Sequence, residues 1–190
     1  MKKLIVIALG ALAVASVVNA EVYVQGDLGY SKLKSTGLAH GNVSDSNLEP
    51  SVAVGYKMGD WRIAVDYTNY GKASGSYTDG SVKGHAKAKA QGVGISAIYD
   101  IDINSAVKPY IGGRLSANSV KVTDNYVENG AKHSDTDSST KLGYGAMVGA
   151  NYGLAPNLDL DTAVEYNRLG NWDGVKLNQY GLKVGLKYSF

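Results

Sequence analysis

After Glu21 the chain falls into eight segments in which every second residue is apolar, separated by polar, glycine-rich breaks. A repeat of two means strands, because successive side chains of a strand point to opposite faces, and almost no helical period competes with it. The first segment sets Val22, Val24, Leu28 and Tyr30 against Tyr23, Gln25, Asp27 and Ser31. The third sets Trp61, Ile63, Val65 and Tyr67 against Arg62, Ala64, Asp66 and Thr68. The eighth sets Tyr180, Leu182, Val184, Leu186, Tyr188 and Phe190 against Gln179, Gly181, Lys183, Gly185, Lys187 and Ser189. The other five follow the same rule.

Alternation of this kind suits a soluble barrel with apolar faces inward, or a membrane barrel with those faces turned to lipid and a polar lumen. Three features favour the membrane. Segments of about ten residues span the apolar band when tilted. Several of them end in Tyr or Trp (Tyr30, Trp61, Tyr67, Tyr99 and Tyr152), as interfacial girdles require. The connections also alternate in length. Gly59-Asp60, Asp100 to Lys108 and Gly153 to Asn157 are short or moderate, whereas Ser35 to Glu49, Gly71 to Ala86 and Thr123 to Ser139 are long and polar. Short periplasmic turns opposite longer outer loops are what membrane barrels show. The expected fold is an eight-stranded antiparallel up-and-down transmembrane β-barrel of the outer membrane.

The first twenty residues stand apart from this pattern. Lys2 and Lys3 precede an apolar run from Leu4 to Val18, and Val18-Asn19-Ala20 carries small residues where a signal peptidase reads them. The run is shorter than the roughly 20 residues a membrane helix needs. We therefore expect a signal peptide over residues 1–20, cleaved between Ala20 and Glu21, and a barrel over 21–190. Removing Lys2 and Lys3 leaves 17 basic against 17 acidic residues, so no net charge recommends nucleic acid as a partner. There is no cysteine, hence no disulfide framework.

Several segments resemble the opacity (Opa) family of outer-membrane proteins, most closely its compact neisserial surface protein A type. The resemblance rests on Tyr23-Val24-Gln25-Gly26-Asp27-Leu28-Gly29-Tyr30, Ala64-Val65-Asp66-Tyr67-Thr68-Asn69-Tyr70 and Ser96-Ala97-Ile98-Tyr99-Asp100. It is strengthened by Val107-Lys108-Pro109-Tyr110-Ile111-Gly112-Gly113-Arg114-Leu115-Ser116 and by Pro156-Asn157-Leu158-Asp159-Leu160-Asp161, and it fails in the long loops. It implies eight strands and a surface role, since opacity adhesins grip host receptors and heparan-type glycans with their outer loops. This chain has shorter outer loops than the large adhesins. Tyr188 and the terminal Phe190 resemble the end signal by which barrel-insertion machinery selects its clients.

The lumen face carries both signs: Asp27, Asp66, Asp159, Asp161 and Glu165 against Lys57, Arg62, Arg114, Lys183 and Lys187. An eight-stranded barrel is just wide enough for side chains to fill it, and unpaired buried charge is costly. These ten are therefore expected to pair and plug the interior, with Lys183 and Lys187 reaching Asp161, Glu165 or Asp27; the alternative is a small channel of low conductance. A second set, Lys32, Lys34, Lys87, Lys89, Lys121 and Arg168, continues the lipid-facing parity into the outer rim. There it would meet the phosphorylated head groups of lipopolysaccharide, or simply be solvated.

Catalysis finds no support. No Ser-His pair or carboxylate dyad falls at a shared position, and Gly92-Val93-Gly94 and Gly143-Tyr144-Gly145 sit within strands rather than in a phosphate loop. His40, His85 and His133 fall one in each long loop; converging loops could bring them onto a zinc ion, but no metal-binding spacing supports it. No cofactor is expected. The partners expected are outer-membrane lipid and lipopolysaccharide, the barrel-insertion machinery, and a host receptor or glycan.

Overall fold

The computed structural model describes residues 20–36, 44–79, 82–128, 131–172 and 175–190. They form β1 (Ala20–Thr36), β2 (Ser44–Met58), β3 (Trp61–Asp79), β4 (Val82–Asp100), β5 (Val107–Glu128), β6 (Ala131–Ala155), β7 (Leu158–Trp172) and β8 (Val175–Ser189). Each strand pairs antiparallel with the next and β8 closes on β1, giving the eight-stranded up-and-down barrel that the alternation predicts. Closure removes every sheet edge, a requirement inside lipid, where no water can satisfy a free backbone group.

The two faces are sorted as a membrane demands. Leu28, Val52, Ile95, Leu115, Val148, Val164 and Leu182 all point outward and are exposed, while the opposite parity lies inside. Trp61 and Tyr99 meet across β3 and β4 at the periplasmic end, with ring centres 5.1 Å apart. Gly59 turns the chain from β2 into β3 with a φ of 59°, in the left-handed region that glycine enters without strain. The link from β4 to β5 is held by an Asx turn, in which the Asn104 amide donates to the Asp102 side chain at 3.0 Å.

The long connections depart from expectation. The span from Gly71 to Ala86 is not an open loop: β3 runs to Asp79 and β4 resumes at Val82. Thr123 to Ser139 is likewise taken up by β5, of 22 residues, and β6, of 25, which pair as far as Glu128 opposite Ala131. On the periplasmic side β6 extends to Ala155 across a register shift after Gly153, which shrinks the last turn to Pro156-Asn157. The physical reason is common to the outer cases. Above the membrane both faces of a hairpin are wet, so the apolar period ends while backbone pairing continues.

Candidate functional site

The lumen is built in layers. At the periplasmic end the Arg62 guanidinium meets Asp100 at 2.7 Å and stacks over the Tyr110 ring, 4.7 Å from its centre. Lys187 binds Asp159 at 3.0 Å and donates to Asn151 at 3.2 Å. Tyr110 donates its hydroxyl to Asp161 at 3.0 Å. In the middle, Arg114 donates from Nε to Asp66 at 3.0 Å and from Nη1 to the Tyr70 hydroxyl at 2.7 Å. Towards the outer end, Lys183 bridges Glu165 at 2.9 Å and Glu49 at 3.5 Å, while the Gln179 amide donates to both carboxylates. Above this layer Leu33, Tyr70, Ala90 and Leu169 pack together, Tyr70 and Leu169 with 0 % exposure. Between the layers remains a cavity of about 60 Å³ lined by Asp27, Asp66, Arg114, Asp161, Glu165 and Lys183. That is room for a few waters, since each needs about 10–15 Å³.

Nine of the ten lumen residues named from the sequence take part in these layers or line the cavity. Lys57 has lumen parity at the periplasmic mouth, beside Glu21 and Arg62, and makes no ion pair among the described residues. Some partners differ from those anticipated. Lys183 reaches Glu165 and also Glu49, whereas Lys187 binds Asp159 rather than Asp161. Asp27 is held by Gln25 and Ser51, not by a lysine. Glu49 and Asp100 were hidden at segment ends. Each is two residues beyond a recognised inward position, Ser51 and Ile98, so extending the parity by one step finds both.

The described rim bases fall on two opposite walls of the barrel. Lys34 and Arg168 flank Asn178 of β8, and Lys32 is exposed beside Tyr180. On the opposite wall Lys89 stands beside Lys121 and also beside Lys72, which the sequence reading missed. Lys72 follows a register shift between Asn69 and Gly71, and an unbroken alternation count misplaces it. Lys87 lies in β4, but its side chain is outside the described ones, as are those of His85 and His133; His40 lies outside the described residues altogether. At the C-terminus the Phe190 amide donates to Val22 at 2.9 Å, and its exposed ring meets Tyr188 edge-on. Residues 1–19 fall outside the described chain, and β1 begins at Ala20.

Comparison with known proteins agrees with this architecture. Residues 54–190 match the family model described as "Opacity family porin protein". The chain is 46 % identical over 137 residues to "Protein opa" of Haemophilus influenzae, covering 72 % of this chain and all of that one. Among solved structures it is similar to neisserial surface protein A, at 33 % identity and a TM-score of 0.64, covering 91 % of this chain and all of the other. It shares its fold with Ail, the attachment invasion locus protein of Yersinia pestis, at 21 % identity and a TM-score of 0.58 over 90 % of this chain and all of that one. That structure holds the heparin analogue sucrose octasulfate. A closed eight-stranded barrel with lipid-facing apolar residues, matched by this family over most of its length, is an outer-membrane protein, and the chain belongs to the Opacity family.

Proposed function

We propose that this chain is a surface-interaction protein: a filled barrel whose outer rim and extended hairpins engage lipopolysaccharide and sulfated or phosphorylated glycans of host surfaces. One observation carries the reading. Four of the five lumen bases, Arg62, Arg114, Lys183 and Lys187, are bound to carboxylates inside, whereas the described rim bases are free to meet an outside anion. Charge that is already paired and buried has little left to offer a partner; solvated cations near anionic groups do. The sulfated ligand in the Ail structure supports the glycan side of the proposal by fold likeness. The role is one of binding rather than catalysis. Export with cleavage between Ala20 and Glu21, and use of Tyr188 and Phe190 as the insertion signal, belong to the same proposal.

The test is binding of the purified, folded barrel to immobilised heparin and to lipopolysaccharide, with and without the rim substitutions Lys32→Ser, Lys34→Ser, Lys89→Ser, Lys121→Ser and Arg168→Ser made together. Retention should fall with these substitutions and with rising salt. Equal retention of both proteins would overturn the proposal.

A further inference from the structure

Three lysines meet on one stretch of the outer wall. Lys72 of β3 lies directly across from Lys89 of β4, and Lys89 directly across from Lys121 of β5. Side chains opposed in this way have Cβ atoms about 4.5–5.5 Å apart, and like charges there repel. None of the three makes an ion pair among the described residues. Their neighbours on the membrane side and beside Lys121 are neutral: Gln91 and Ser119 pair with each other below the row, and Ser138 lies across from Lys121. Below these, exposed Val93, Ile95 and Leu115 face the lipid.

The height of the row follows from the register. Lys89 is ten residues along β4 from Tyr99, and Lys121 ten along β5 from Ile111, while Tyr99 and Ile111 pair with each other at the periplasmic end. Ten residues rise about 33 Å along a strand. At a tilt of about 40° that is about 25 Å of height, the thickness of the apolar band of such barrels. The lysines therefore stand where the band ends and the head groups of the outer leaflet begin. A row of repelling cations at that level is stabilised by a shared anion.

We propose that Lys72, Lys89 and Lys121 together clamp a phosphate on the head group of an outer-leaflet glycolipid, whose acyl chains lie over Val93, Ile95 and Leu115. This rests on the rim reading above and narrows it to one wall and one ligand class.

The barrel, folded in detergent, is mixed with diphosphoryl lipid A and the retained lipid is counted by native mass spectrometry. Folding of each variant is checked by its heat-modifiable mobility. The triple variant Lys72→Ser/Lys89→Ser/Lys121→Ser should bind roughly a hundredfold more weakly. The variant Lys32→Ser/Lys34→Ser/Arg168→Ser on the opposite wall should keep most of its binding. Lys89→Ser alone tests the clamp if the triple variant fails to fold, and should weaken binding several-fold. Loss only in the opposite-wall variant overturns the clamp and leaves the rim reading standing; no loss in either overturns both. Equal loss with a dephosphorylated lipid A assigns the contacts to the acyl chains and overturns the phosphate clamp. Complete displacement by millimolar inorganic phosphate overturns the lipid as its source.

Discussion

Tyr23 and Tyr110 each lie across a glycine of the neighbouring strand, Gly55 and Gly149 respectively. A Cβ built at either glycine would run into the tyrosine ring, so the rings occupy the space that the glycines leave. Gly55→Ala should therefore cost roughly 1–3 kcal/mol through overpacking, read as a shift in the urea midpoint of the barrel folded into vesicles. Arg114 makes a sharper case, being the shared partner of Asp66 and Tyr70. Arg114→Met should cost about 3 kcal/mol, because it strands a largely buried carboxylate, and Arg114→Met/Asp66→Leu should recover most of that loss. No recovery in the same unfolding assay would mean that the charge pair is not what Arg114 contributes. At this scale the sequence shows which side chains point inward, since parity alone places them. It does not show who pairs with whom, as the Lys187–Asp159 contact demonstrates. Partner choice depends on strand stagger and on side-chain reach, and neither leaves a period in the sequence.

Elements were legible in proportion to the contrast between the solvents on their two faces. From Trp61 to Tyr70, with lipid on one side and the packed lumen on the other, alternation marks β3 residue by residue. Beyond Lys72 the same strand continues to Asp79, yet its composition reads as loop because water lies on both sides. Hairpin tips of this kind carry little of the fold. Replacing residues 75–86 by Asn-Gly, between Ser74 and Lys87, which already pair, should leave the barrel folded and heat-modifiable on a gel. A chain that no longer folds would show that this extension belongs to the folding nucleus.

The whole molecule is a closed wall around a filled interior, with Leu33, Tyr70 and Leu169 over its outer end. In planar bilayers it should give no steady conductance, and steady ohmic current from the purified protein would rule the plug out. Charge pairs in the lumen and an apolar cap above them make the inside a stabilising core, which is why the proposed binding is placed on the outside.

The paired backbone of β5 and β6 above the lysine row acts as a ruler. From Lys121 opposite Ser138 to Glu128 opposite Ala131, each added pair lifts the tip by about 3.3 Å along the strands. Lengthening or shortening this hairpin by matched residues would change how far it projects while leaving the register in the membrane untouched. Reach above the membrane is thereby separable from the barrel that anchors it.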